Sequence, residues 1–364
     1  LIILVFFTFY VSSGMVSGGT FFESSFGMDY RLGLTLVAGI TVMYTLVGGF
    51  LAVSYTDLVQ GLMMVAALVA VPVAGVVRLG GIRATIDAVS AVDPHYWAMV
   101  GPTTSVIGIA GSLAWGLGYF GQPHIIVRFM AIRSPKEAVA GRRIGIGWML
   151  FAVAGAAATA VVGVAVYQRD ASGLANPEAV FISLGRLLFD PFVAGFMLAA
   201  ILAAIMSTIS SQLLVTSSAL IEDLYKRIRD VEPPQPRLVM YSRFAVLIVA
   251  VVAAAMAWSP NDTILALVAF AWAGFGASFG PIVLLCLYWR RLTAAGAFAG
   301  MIVGAALVMV WGNLDGGPGD LFDLYEIVPG FLGNLAVAWA VSRAGRPDGR
   351  VAAEFDAAAD AARP

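Results

Sequence analysis

The sequence predicts an all-α, multi-pass membrane protein of about ten transmembrane helices. Three observations predict it. Of the 364 residues 60% are hydrophobic and 12% charged, with mean hydropathy +0.90, whereas a soluble domain carries about 25% charged residues. Apolar runs long enough to cross a bilayer recur along the chain, roughly at 1–20, 32–53, 57–78, 105–130, 144–167, 192–221, 239–258, 263–288, 294–312 and 326–342. The loops between them alternate in charge. Arg133, Lys136, Arg142 and Arg143 outweigh Glu137 in one loop, Lys226, Arg227, Arg229 and Arg237 fall in another, and Arg290 and Arg291 close the eighth run. Loop 313–325 instead holds Asp315, Asp320 and Asp323 with no basic residue. The positive-inside rule then places Leu1 and the C-terminus in the cytoplasm. The chain divides into a transmembrane domain, 1–342, and a polar, loosely ordered cytoplasmic tail, 343–364, with Asp348, Glu354, Asp356 and Asp360 among alanines.

The same composition excludes several function classes. There is no basic face for nucleic acid, and no obligate protein partner is evident. Cys286 is the single cysteine, so no internal disulfide forms. With only His95 and His124 there is no histidine metal cluster, and no Cys-His or Ser-His-Asp arrangement points to an enzyme or a cofactor. The chain opens inside an apolar run at Leu1 without a charged n-region, which is not a signal peptide. The expectation is that further sequence precedes it.

In the first segment Thr8, Tyr10, Ser12 and Ser13 precede Gly14. An aromatic residue in a span is an interface anchor or a pocket wall, and the mid-segment place of Tyr10 favours the wall. The second and third segments join at Ser54-Tyr55-Thr56-Asp57. Asp57 reads most simply as an N-cap at a helix start, with a place on an ion path as the sharper alternative.

The fourth segment contains Trp115-Gly116-Leu117-Gly118-Tyr119-Phe120-Gly121-Gln122-Pro123-His124. Glycines weaken a helix, and proline removes a donor and clashes one turn back. A broken helix in hydrocarbon needs partners for its freed backbone groups. With Trp, Tyr and Gln present it is a candidate binding site, and a kinked packing helix is the equal alternative. In the outer loop 168–191, Asn176-Pro177-Glu178 starts a short helix that runs to Phe189, as a lid or a plain surface helix.

The sixth segment carries the strongest physical signal. At 100° per residue, Ala204, Ser207, Thr208, Ser211, Val215, Ser218 and Glu222 share one side. Small and hydroxylated residues also serve helix packing, which is the preferred reading for Ser211 and Ser218. Ser207 and Thr208 are adjacent hydroxyls one turn after Ala204. With local carbonyls they present several hard oxygens, as small cations require, and a monovalent ion needs no carboxylate. The eighth segment has a second interrupted stretch, Gly274 to Pro281, suited to bending. The ninth and tenth are plain apolar helices.

Long motifs then match a known family. Gly49 through Asp57, Trp115 through His124 with Arg128-Phe129-Met130, and Ala200 through Gln212 continuing to Glu222-Asp223-Leu224-Tyr225 closely resemble the bacterial sodium/proline symporters of the solute:sodium symporter family. Ala271 through Gly276 and Tyr325 through Gly330 extend the resemblance over essentially the whole chain. It implies a leucine-transporter-like inverted-repeat core in the bacterial inner membrane, with L-proline and Na⁺ near the midplane. It further implies that Leu1 falls at the start of the third core helix, so the core is incomplete at the N-terminus and holds one half of each site. Residue by residue, it implies that Ala204 gives a carbonyl and Ser207 and Thr208 their hydroxyls to Na⁺, and that Tyr10, Trp115, Tyr119 and Pro123 line the substrate pocket. The implied activity is Na⁺/L-proline symport by alternating access, with Na⁺ as coupling ion and no cofactor. Another small solute, such as pantothenate or a different amino acid, remains the alternative cargo, and a transporter-like sensor domain the alternative class.

Overall fold

The computed structural model describes residues 1–98, 101, 105–168, 174, 176–229, 233–259, 263–346 and 349–361. Asp348 of the tail and parts of the loops at 168–191 and 222–237 lie outside them. In hydrocarbon each backbone donor and acceptor must be paired internally, which a helix achieves within one segment. Helices account for all regular structure among the described residues.

Eight of them are long and apolar enough to cross a membrane: Ile2–Phe26, Tyr30–Arg78, Lys136–Tyr167, Pro191–Arg229, Gln235–Ala257, Ile264–Tyr288, Ala294–Trp311 and Ile327–Ala344. We number the helices α1 (Ile2–Phe26), α2 (Tyr30–Arg78), α3 (Ile82–Val92), α4 (Val106–Gly118), α5 (Pro123–Met130), α6 (Pro135–Gly163) and α7 (Val180–Leu188). Then follow α8 (Pro191–Ser218), α9 (Lys226–Arg229), α10 (Gln235–Ala257), α11 (Ile264–Tyr288), α12 (Ala294–Trp311), α13 (Ile327–Ala344) and α14 (Gly349–Ala361).

At 49 residues α2 is two spans, because Gly49 interrupts it with φ 59° and ψ −163°. Only glycine enters that region without strain. The partners along α2 show the reversal. Before Gly49, Tyr30 Oη donates to Ala257 O and Arg243 Nε donates to Leu46 O. After it, Ser211 Oγ donates to Asp57 and Arg78 Nη1 to Leu187 O. The first half thus runs down α10 and the second runs back along α8. This corrects the expected turn at Ser54–Asp57. Ser54 Oγ and Thr56 Oγ1 already donate to Phe50 O and Val53 O within the helix, so Asp57 is not an N-cap. The cap of α2 is Asp29, which accepts from Arg31 N and Leu32 N. With α2 counted twice and the broken α4–α5 segment added, the described residues contain the ten expected segments.

The chain forms two compact units. One comprises Val11–Gly101 and Val139–Ile264. Its core packs Ala67, Val71, Val162, Leu184, Met197 and Ala200 from α2, α6, α7 and α8. Pro72 inside α2 removes the donor for Leu68 O, and Gly155 of α6 fits against that carbonyl where a Cβ would collide. The short α7 is part of this core through buried Leu184, and its Ile182 packs with Phe21 and Ala179 in a second cluster.

The other unit comprises Leu1–Tyr10, Pro102–Ala138 and Leu265–Pro364. Here α12 packs on α13 through buried Gly296 and Gly300, where added Cβ atoms would strike Ser342 and Asn334, and on α11 through buried Gly304, where one would strike Ala277 O. The last segments are therefore not plain apolar helices. Asn334 is fully buried, and its Nδ2 donates to Ala277 O at 2.7 Å and Ser278 O at 2.8 Å. Pro281 is the reason: it cannot donate to Ala277 O one turn back, and Asn334 supplies the missing donor. The Gly/Pro stretch of α11 is thus clamped, with Ala271 through Ser278 buried. We expect Asn334→Leu to cost about 1–3 kcal/mol, the price of a buried acceptor left unmade. Thermal unfolding of the purified variant checks this, and an unchanged Tm would refute the clamp.

Part of the tail is helical. It forms α14, held by a two-pronged contact in which Arg290 Nε and Nη2 donate to Asp356 at 2.8 and 2.7 Å. That carboxylate pushes the Arg290 guanidinium upward from its ordinary pKa.

Candidate substrate and ion sites

The fourth segment breaks where the sequence placed the interruption. Its first part, α4, ends at Gly118, a single 3₁₀ turn covers Tyr119–Gly121, and Gln122 is extended at φ −81°, ψ 109° before Pro123 opens α5. Proline is suited to a first helical position, where its missing N–H has no partner to lose. The break approaches α11 at backbone distance. A Cβ on Gly121 would meet Phe275 O and, at 2.8 Å, Gly280 N, and one on Gly118 would meet the Trp272 indole.

Gln122 is fully buried and staples the break. Its Nε2 donates to Gly118 O at 3.2 Å and to Trp272 O at 3.3 Å. Trp272 Nε1 in turn donates to Trp115 O at 3.0 Å. The carbonyls that a continuous helix would have paired are therefore satisfied by side chains.

Around this break the unit assembles an aromatic cluster. Trp115 stacks on Tyr325 with centroids 5.5 Å apart and lies 6.0 Å from Trp272. Tyr119 meets Trp272 edge-on at 4.9 Å. Tyr10 faces His124 edge-on at 6.2 Å, and Phe7 lies 5.6 Å from the same imidazole. The Tyr10 hydroxyl is within electrostatic range of Tyr119 and Tyr325. So Tyr10, Trp115, Tyr119 and Pro123, drawn from two distant stretches of sequence, belong to one neighbourhood. Sequence reasoning named Gln122 and His124 only as members of the broken stretch, and it missed Trp272 and Tyr325 as neighbours of Trp115. Trp272 and Tyr325 stood in quoted motifs but carried no local periodicity to mark them. The Oε1 of Gln122 and the Nδ1 of His124 are buried without a hydrogen-bond partner among the described residues. Such atoms are suited to a small polar ligand or to water.

The second candidate site lies on α8, in the other unit. Ser207 Oγ donates to Ala204 O at 3.1 Å and Thr208 Oγ1 donates to the same oxygen at 2.9 Å. Each hydroxyl thus sits about one ligand-to-ligand spacing from the Ala204 carbonyl oxygen, since donors ~2.4 Å from a cation lie roughly 3 Å from one another. Each hydroxyl also keeps two lone pairs, so turning its hydrogen away presents oxygen to an ion without moving the helix. All three residues are half-buried.

Further along the same helix is a second polar group. Ser211 Oγ donates to Asp57 Oδ2 at 3.2 Å, and Tyr44 Oη donates to Met206 O at 2.9 Å, with Ser210 beside it. Ser211 therefore does more than pack. Gln60 Oε1 and both side-chain heteroatoms of Gln212 are buried here without partners among the described residues. Among those residues no three His, Cys, Asp or Glu side chains cluster as a transition-metal site.

Comparison with known proteins gives this architecture its family. Residues 1–304 match the sodium:solute symporter family. The high-affinity proline transporter PutP of Bacillus subtilis is 56% identical over 342 residues, 94% of this chain and 71% of its own length. The osmoregulated proline transporter OpuE of the same organism is 51% identical, over 94% of this chain and 69% of its own. A sodium/proline symporter of Staphylococcus aureus is 52% identical over 353 residues, 94% of this chain and 68% of its own. Among solved structures, a Na⁺-coupled sialic acid symporter in a substrate-bound, outward-open state matches with TM-score 0.75 at 20% identity, over 95% of this chain and 74% of its own. That likeness is one of fold, the leucine-transporter-like inverted repeat. With ten apolar segments, an interrupted helix ringed by aromatics and a hydroxyl-lined α8, this multi-pass membrane protein belongs to the sodium:solute symporter family.

Proposed function

We propose that the protein imports L-proline together with Na⁺ across the bacterial cytoplasmic membrane by alternating access. The observation that carries the coupling is the convergence of Ala204 O, Ser207 Oγ and Thr208 Oγ1 on one half-buried turn of α8. The cargo rests on the named activity of relatives more than 50% identical. The chemistry fits. Proline is a compact ring with no side-chain charge, which suits an aromatic slot with few polar groups. Aromatic faces attract its ammonium.

In this reading Tyr10, Trp115, Tyr119 and Pro123 line the substrate site, with Trp272 and Tyr325 supporting Trp115. Ala204, Ser207 and Thr208 hold Na⁺, and Asp57 with Ser211 lies on the ion's path. Na⁺ orders the site that proline enters, so each ligand tightens the other's binding by the same factor. The membrane potential adds about 2.3 kcal/mol per charge per 100 mV to the Na⁺ gradient. Residues 1–342 are the transport domain. Leu1 and the tail face the cytoplasm, so Arg290 and Asp356 meet there.

A competition panel against Na⁺-driven proline uptake tests the cargo. Excess proline should abolish labelled uptake, and pantothenate and other amino acids should not. If a non-proline solute competes and proline does not, the cargo is wrong while the symport reading stands. Uptake indifferent to Na⁺ overturns the coupling. Trp115→Ala removes a ring stacked on Tyr325 and should raise the proline concentration for half-maximal uptake about tenfold, a loss near 1.4 kcal/mol. The Na⁺ requirement should move far less. Equal movement of both would make Trp115 a structural residue only.

A further inference from the structure

A cleft of about 560 Å³ opens where α1 and α7 end and α8 begins, and none of the site residues described above lines it. It lies within one unit. Its walls are mostly apolar, from Phe21, Phe26, Phe189, Leu198 and Leu202, and its polar groups are Arg186 and Ser25. Arg186 Nη1 donates to Ser25 O at 3.2 Å, which engages one of five guanidinium donors. No carboxylate pairs with Arg186 among the described residues. Ser25 is 5% exposed, and its Oγ is buried without a hydrogen-bond partner among the described residues.

The neighbouring acids do not neutralise the arginine. Asp190 spends its Oδ1 on the amides of Phe192 and Val193 as the cap of α8. Glu23 is exposed and two residues from Ser25, a spacing that puts it on another face of α1. An exposed cation that no carboxylate among the described residues pairs, at the mouth of an apolar cleft, therefore calls for an anionic group carried on hydrocarbon.

Depth and continuity select the source. Ser25 is one residue from the end of α1 and Arg186 is in the last turn of α7, just before α8 begins at Pro191. The ends of helices that cross the bilayer, here the end of α1 and the start of α8, lie near headgroup level. Past Pro191 and Gly195, walls shared by both hollows, an apolar groove continues over Phe192, Val193 and Phe196. Phe192 is 88% exposed, so this groove faces the surroundings of the helix. We propose that the cleft is a binding site for an anionic phospholipid, with its phosphate on the exposed Arg186 guanidinium and an acyl chain along Pro191–Phe196. A phosphate on guanidinium forms a charge-assisted, two-pronged contact, and a neutral-headgroup lipid would bring a competing positive charge.

Thermal unfolding of the detergent-purified protein tests this, with dioleoyl phosphatidylglycerol, dioleoyl phosphatidylcholine or glycerol 3-phosphate added, alongside native mass spectrometry of retained lipid. We expect phosphatidylglycerol to raise Tm more than phosphatidylcholine, because a ligand that binds only the folded state stabilises it. Glycerol 3-phosphate should give no shift. Arg186→Gln should cut retained phosphatidylglycerol about tenfold, and Arg186→Lys, which keeps the charge, should retain most of it. Equal effects of the two lipids on the native protein would overturn the proposal, whether or not Arg186→Gln folds. So would a phosphatidylglycerol preference that survives in Arg186→Gln. A glycerol 3-phosphate shift equal to that of the lipid would replace the membrane source by a soluble phosphate and overturn the lipid assignment.

Discussion

Replacing Thr208 by alanine should raise the Na⁺ concentration for half-maximal proline uptake by about tenfold to a hundredfold. A hydrogen bond or ligand contact to a charge contributes about 1.5–3 kcal/mol, and each 1.4 kcal/mol is tenfold in affinity. Thr208 Oγ1 and Ser207 Oγ both bond to Ala204 O, so Ser207→Ala should act in the same direction. Thr208→Ser keeps the oxygen and should stay near the native value. Ser217→Ala is the control, since its hydroxyl donates to Ser242 O and serves packing between α8 and α10. Sodium-dependence curves for radiolabelled proline uptake by the full-length protein in membrane vesicles measure all four. If Thr208→Ala and Ser217→Ala shift the Na⁺ dependence equally, the pair on α8 is packing and the ion lies elsewhere.

Gly121→Ala should abolish most folded, functional protein. The added Cβ would strike Phe275 O and approach Gly280 N at 2.8 Å and Gly276 Cα at 2.9 Å. All three are backbone atoms of α11, so no side-chain rotation relieves the overlap. Overpacking of a well-filled site costs about 1–3 kcal/mol where side chains yield, and more is expected where they do not. Gly116→Ala, five residues earlier in α4, has nothing within 4 Å of its Cβ. It should be tolerated or slightly stabilising, since alanine is the better helix former by up to ~1 kcal/mol. Size-exclusion profiles and Tm of the two purified variants decide it. If Gly121→Ala is as stable as Gly116→Ala, the close approach of the broken segment to α11 is not required.

The interruption of the fourth segment was legible because proline and glycine act locally. The stripe on α8 was legible because helical periodicity alone places Ser207 and Thr208 one turn after Ala204. What the sequence misjudged was also local in form but not in cause. The turn between the second and third segments was expected at Ser54–Asp57, where polar residues cluster. It falls at Gly49, because a positive φ demands glycine and the polar side chains bond within the following helix. Asp57 thereby changed from a helix cap to the partner of Ser211. Likewise the tenth segment read as a plain apolar helix, and the role of its Asn334 depends on a proline in another helix.

By itself the sequence determined that the chain is helical and embedded in a membrane, how many segments it has, where one of them breaks and which turn of α8 is rich in oxygen. These follow from composition, periodicity and backbone chemistry, which act over a few residues. Only the tertiary structure decided which distant side chains meet: Trp272 and Tyr325 around Trp115, Ser211 on Asp57, Asn334 on the carbonyl that Pro281 strands, and Arg186 beside Ser25. Those pairings are separated by tens to hundreds of residues. They arise from the helix packing that satisfies buried carbonyls and fills space against glycines, and no local pattern encodes them.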